Sequence, residues 1–461
     1  MQTRTVATHE RTSIAETLAA FAVSYVPTPT ARDAIAKSVV DAVGCVLAAT
    51  SEPVSAATRH AFSAPEGPAP VIGTDDRAHP ADAALIMGTT AHALDLDDFD
   101  VRSGGHPAVA IVPAAFYACF ADEIESADVL AAIGAGYEVM ALLGLAIHKQ
   151  AKRRGQHGTG VFGAVAAAVA AGRIHNLDVA SMRHAIGLAV GQAAGMRANF
   201  GTMAKPLQAG NAARAGVTAA LLARHGATGG QDPIAGPGGL VQSAVGPDDR
   251  EEARERMVEL APRLGSLLDE LPPSLKRHAS CGSTHASIDA ALALRDEVGP
   301  ADGIATIEVT VPPVYLESLF YSRPVNGLEA KFSLEHCVAV ALVHGDANRR
   351  RFLHGGFGDP EVMRLRERVV VVPDPELEVM RDTLKCLPAR VRITSATGEH
   401  RRDVVDAVGT SRHPMDWEQV EHKLADNAPA LDERRRTEII RLVRHLTGRA
   451  DISAVSRIAS A

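Results

Sequence analysis

Apolar positions recur at helical spacing through almost all of residues 14–245. The periodic stretch 14–26 stops at Pro27, and 31–49 repeats the pattern. Further helices are predicted from 81 to about 98, after Pro80, and over 107–121, 127–147, 161–174, 179–193 and 206–225. Gly226-Ala227-Thr228-Gly229-Gly230 is a clear stop. The pattern changes after about residue 265. Residues 304–311 alternate and are β-branched, which predicts a strand ending at Pro312-Pro313. The apolar run 369–372 stops at Pro373, and 390–394 alternates before a turn at 395–398 leads back towards Val404. Helical stretches 285–297 and 333–345 lie between these strands, and the tail is helical again over 417–425 and 432–446. The fold class expected is mostly α: a large helical domain over 1–265, a smaller α+β domain over 266–404, and helices in 405–461 that return to the first domain. The α+β part is then an insertion.

A chain of 461 residues exceeds what one ordinary core holds. Aromatic residues are only 4%, so Ala, Val and Leu must fill the interior, and Ala-rich runs such as 161–171 favour closely packed helices. The net charge of −8, without a basic block, argues against a nucleic-acid partner. The five cysteines are odd in number and far apart, which fits neither a disulfide framework nor a zinc site. No apolar run reaches the roughly 20 residues of a membrane span. The first residues lack a leader-like apolar segment, so a cytoplasmic protein with no membrane partner is expected.

Three predicted helix starts each carry a cationic or titratable side chain: His106 before Pro107, His157 within Gly155-Gln156-His157-Gly158-Thr159-Gly160, and Lys205 before Pro206. Unpaired N–H groups and the macrodipole make such ends anion sites. Taken singly, each also reads as a simple cap. If the three converge, they form a pocket for a substrate with several carboxylates. His92-Ala93-Leu94-Asp95-Leu96-Asp97-Asp98-Phe99-Asp100 crowds acidic residues at a helix end. Counted from Asp95, Phe99 and Asp100 stand where an EF-hand needs an oxygen ligand and a Gly, so that motif fails. A solvated acidic end and a carboxylate that orients a His remain open. Lys276 to His285 gathers Lys276, His278, Cys281 and His285, which reads either as a Cys–His nucleophile or as a capped anion site beside Lys276. Tyr321-Ser322-Arg323-Pro324 adds a phenol and a guanidinium able to fork onto a carboxylate.

The ordered set His92 to Asp98, Gly105-His106-Pro107-Ala108, Gly155 to Thr159, Lys205-Pro206-Leu207-Gln208-Ala209-Gly210-Asn211, Lys276 to Ala290, and Arg323-Pro324 followed by Gly327 to Leu334 resembles the MmgE/PrpD family. The resemblance spans residues 12–425 and rests on the order of six motifs rather than on any one. It implies a helical domain with an inserted α+β lid, a homodimer, and catalysis with no metal and no organic cofactor. By motif position it implies Asp95, His106, His157, Lys205 and Lys276 as catalytic residues, with Cys281, Tyr321 and Arg323 binding substrate. Family members include 2-methylcitrate dehydratases, cis-aconitate decarboxylases and iminodisuccinate epimerases. Phe99 stands where a Thr is common in the first two kinds, and Cys281 where the animal decarboxylases have a His. The expected function is a lyase that dehydrates a 2-methylcitrate-like polycarboxylate, with proton abstraction α to a carboxylate and Asp95 orienting a His. Epimerisation, decarboxylation and mere polycarboxylate binding are the alternatives.

Overall fold

In the computed structural model, residues 13–121, 124, 126–353 and 356–460 are described. Residues 1–12, where no leader-like segment is expected, lie outside them. Ala-rich faces let the helices of the first half approach closely and bury one large core. Ala108–Ala121, Val129–Arg153, Gly158–Ile174 and Ala204–Arg224 form its centre, and Ala108–Ala121 is buried on every side. Pro29–Ala49 and Pro80–His92 pack beside them. The tail closes on the same core. Trp417 Nε1 donates to Asp33 at 2.8 Å, and Lys423 pairs with the buried Asp41.

A second core belongs to the middle of the chain. Its sheet runs in the order Val369–Pro373, Ile304–Val311, Ala389–Ser395, Gly398–Val404; the first pair is parallel and the others antiparallel. Ile307 pairs with Val369 on one side and Ile393 on the other. Helices His285–Val298 and Leu334–His344 pack on the sheet. Ala93, Leu94, Leu96 and Phe99 from the first half also enter this core, so the segment after Pro80–His92 lies at the seam of both cores.

Two expectations change. The helix expected to reach residue 98 ends at His92, because Asp95 adopts φ 54°, the left-handed region that a short polar side chain tolerates. The chain then turns through 93–100 instead of presenting a solvated acidic helix end. Val129–Arg153 is, by length and composition, apolar enough to cross a membrane, contrary to the reading of the apolar runs. Its most apolar stretch is 94% buried inside the protein, which accounts for that composition by core packing.

Candidate active site

The three helix starts converge. Gly105 and Gly158 allow it: a Cβ on Gly105 would stand 2.8 Å from Thr159 N, and one on Gly158 would stand 2.4 Å from Ser103 O. Thr159 Oγ1 accepts from His106 N at 3.0 Å and ties the two loops. A cavity of about 120 Å³ opens there, between helical core and sheet module. Asp95, His106, His157, Lys205, Phe99, Phe200, Phe332, Cys281, Lys152, Arg197 and Arg381 are among its walls.

Each carboxylate of the turn has a different partner. Asp95 accepts from Lys276 Nζ and lies 3.1 Å from Lys205 Nζ; Lys276 also donates to Asp95 O at 2.8 Å. Burial alone would raise the Asp95 carboxyl, yet Lys205 and Lys276 hold it well below the usual range. Asp97 accepts from His92 Nδ1 at 2.8 Å and stands 2.9 Å from His106 Nδ1. Asp98 accepts from Tyr137 Oη at 2.6 Å and from Ala108 N at 2.9 Å, and burial pushes its carboxyl well up. Asp100 forks onto Arg102.

The imidazoles are held in one tautomer. His106 Nδ1 points at Asp98 O, 2.8 Å away, and a carbonyl only accepts, so Nδ1 carries the hydrogen. His157 Nδ1 meets Gln208 Oε1 at 2.8 Å, while Gln208 Nε2 donates to Met196 O at 3.1 Å and orients the amide. His157 Nε2 is buried without a partner. Both rings therefore offer an Nε2 lone pair at the cavity. Burial, then Lys276, lowers His106 to about 3, and burial, then Lys205, holds His157 well below its usual range. Both are neutral bases at physiological pH.

Beyond its ion pair with Asp95, Lys205 Nζ has no polar partner, and it sits 5.4 Å from the Phe200 ring centre and 5.2 Å from that of Phe332. The rings favour the ammonium by cation–π attraction and leave the donors that do not face Asp95 free. Lys331, fully buried, donates to Ala93 O at 3.1 Å; burial lowers it to about 8. Three lysines thus face Asp95 and Asp97, and the surplus positive charge suits an anion. His92, Asp95, Asp97 and His106 place four donor atoms within 4.8 Å of one another, the spacing of a metal site. The donor chemistry does not fit one: two ammonium groups already hold Asp95, and Asp97 accepts from His92 Nδ1.

Both halves of this arrangement fall inside known domain families. The MmgE/PrpD N-terminal domain matches residues 12–253 and the MmgE/PrpD C-terminal domain residues 278–447. The chain belongs to the MmgE/PrpD family. A cis-aconitate decarboxylase of Aspergillus terreus is 30% identical over 417 residues, covering 84% of this chain and 83% of that protein. Those of Mus musculus and Homo sapiens are 29% and 28% identical, each covering 83% of this chain and 79% and 80% of their own length.

Set on the structure, the family's motif residues separate into two groups. Asp95, His106, His157, Lys205 and Cys281 line the cavity. Lys276 lies behind Asp95 with its side chain fully enclosed, in place of an anion site at the start of His285–Val298. Tyr321 stands behind the wall and donates to Phe200 O at 2.9 Å. Arg323 points outward, 76% exposed, and pairs with Glu367 at 2.8 Å, so the guanidinium expected on substrate is engaged at the surface. Asp95 does not orient a histidine, because His106 Nε2 is 3.8 Å away; Asp97 stands beside His106 instead. His285 contacts Ser280 O at 3.4 Å and packs edge-on against His278, away from a thiol partnership with Cys281. His92, Asp97, Gln208 and Lys331 were missed. Gln208, one turn after Lys205, was visible only as a neighbour of that lysine.

Proposed function

We propose that this protein is a lyase acting on a small polycarboxylate through a carbanion α to a carboxylate. The observation that carries the reading is the pair of neutral imidazoles, His106 and His157, with Nε2 lone pairs facing one cavity beside the Lys205 ammonium, whose one polar partner is Asp95. One imidazole takes the Cα proton. The C–H electron pair moves into the adjacent carboxylate, whose growing charge Lys205 and the helix ends stabilise. The imidazolium so formed gives that proton, directly or through the second imidazole, to the leaving β-hydroxyl, and water departs as the C=C bond forms.

Dehydration of a 2-methylcitrate-like substrate is the first reading. The base form of both rings supports proton abstraction as the opening step, and the wall of Phe99, Phe200 and Phe332 offers an alkyl substituent an apolar seat. Decarboxylation of a cis-aconitate-like substrate is the second, supported by the activity named for the relatives. There the C–CO₂ bond breaks, carbon dioxide leaves, and the electron pair left behind takes a proton that an imidazole draws from solvent.

The test is incubation with 2-methylcitrate, citrate, cis-aconitate and iminodisuccinate in deuterated water, followed by NMR. Loss of water from a citrate supports the first reading; carbon dioxide and a deuterated product from cis-aconitate support the second. Deuterium entry with neither means epimerisation and removes the lyase reading. Binding without exchange or turnover leaves only a polycarboxylate-binding protein.

A further inference from the structure

Asp97 is one carboxylate facing two imidazoles. Oδ1 accepts from His92 Nδ1 at 2.8 Å, and Oδ2 lies 2.9 Å from His106 Nδ1 with no hydrogen bond of its own. The side chains of Asp97 and His92 are fully enclosed, and neither residue lines the cavity. The His92 ring stands 4.4 Å from that of His106 and stacks on that of His157 at 6.2 Å, 20° from parallel. A buried carboxylate is costly unless partners hold it in place. Lys205 and Lys276 both weaken His106 as a base; Asp97 at Nδ1 opposes them, as does Asp95, 3.8 Å from Nε2.

We infer that Asp97 supplies the basicity of His106 and that His92 clamps Asp97 in position, so that both are positioning residues acting through His106. The inference rests on reading His106 as a proton-transferring group. When the substrate C–H bond breaks, its electron pair stays on the carboxylate-stabilised carbon and the proton goes to His106 Nε2. The resulting imidazolium is balanced by Asp97, which keeps its own charge and takes no proton. His92 Nδ1–H keeps the Asp97 carboxylate from turning towards the lysines.

Diethyl pyrocarbonate acylates an unprotonated imidazole nitrogen at a rate that follows its basicity, so it reads His106 without any substrate. Asp97→Asn keeps an oxygen for His92 and removes the charge. Acylation of His106, followed by peptide mass, is expected to slow by about tenfold or more. Turnover is expected to fall by about 10–100-fold with KM within about threefold. His92→Leu moves both readouts the same way, and His92→Asn restores them, because the Asn amide donates where Nδ1 did. Wild-type acylation rates in Asp97→Asn and His92→Leu overturn the inference. So does a His92→Asn variant as slow as His92→Leu, which would mean packing alone. Should Asp97→Asn fail to fold, the two His92 variants decide. Slowed acylation in a protein that turns over no polycarboxylate sinks the lyase reading and leaves the positioning role standing.

Discussion

Asp95→Asn removes a charge and almost nothing else. Asn adopts the left-handed conformation as readily as Asp, so the φ of 54° is kept. What is lost is the carboxylate between two enclosed ammonium groups, Lys276 and Lys205. At the 3.1 Å of the Lys205 contact, Coulomb's law with an effective dielectric constant near 20 gives about 5 kcal/mol. The carboxylate's own desolvation, which Asn avoids, offsets part of that. Removing one partner of a buried pair costs about 3–5 kcal/mol, and that is the loss expected at pH 7. It is a large share of a stability of about 5–15 kcal/mol. The pH dependence has a definite sign. Without Asp95 the folded-state pKa of Lys205, already lowered by burial, falls further below that of the unfolded chain, and that of Lys276, which Asp95 helps to hold above its ordinary value, falls as well. Between the two values the unfolded chain binds more protons, so the variant regains stability as pH rises. Urea unfolding followed by circular dichroism at about pH 7 and 9.5 should show a deficit that narrows at the higher pH. Lys276→Met added to Asp95→Asn should recover about 1–3 kcal/mol through coupling. A deficit below about 1 kcal/mol at pH 7, with no coupling to Lys276→Met, would refute the claim that this carboxylate holds the ammonium pair.

Lys331, lowered to about 8 by burial, loses its charge as pH rises through that value, so kcat/KM for a polyanion should fall above pH 8 and lose that limb in Lys331→Met. In stability the sign is opposite: the unfolded chain keeps the proton longer, and wild type should gain about 3 kcal/mol on Lys331→Met between pH 8 and 10.5. Gln208→Leu leaves the His157 Nδ1–H unpaired and should lower turnover about 10–100-fold while KM stays close to wild type, measured by steady-state kinetics. Phe99→Thr should move the preference from 2-methylcitrate towards citrate by about tenfold in kcat/KM; an unchanged ratio would remove Phe99 from the alkyl seat. A strong chelator should leave turnover intact, and its loss would reopen the cluster of His92, Asp95, Asp97 and His106 as a metal site.

The helices were legible because their apolar faces are local and periodic. Strand Ile304–Val311 stood out for the same reason: alternation and β-branching are properties of adjacent residues. His106, His157 and Lys205 were legible because Pro107, Pro206 and the flanking glycines mark helix starts. Asp97 was not. Within the acidic run, nothing local separates the residue that pairs with lysines from the one beside the histidines. That division depends on the turn at Asp95 and on Lys276, which arrives 181 positions later. Arg323 misled for a related reason: a guanidinium beside a phenol suits a carboxylate equally well in a pocket or, as here, against Glu367 at the surface.

By itself, the sequence determined the helical bulk, the change to strands in the middle, the family, and a set of cationic and imidazole side chains at helix starts. The family follows from the order of six motifs; the rest follow from spacing and composition, which act over a few residues. Only the tertiary structure decided which charges neutralise one another and which remain free for a ligand. Electrostatic pairing depends on distance and burial, and here both are set by two cores meeting along the turn from His92 to Asp100. The same meeting leaves Lys205 with Asp95 as its one polar partner and both Nε2 atoms without a hydrogen bond at one cavity.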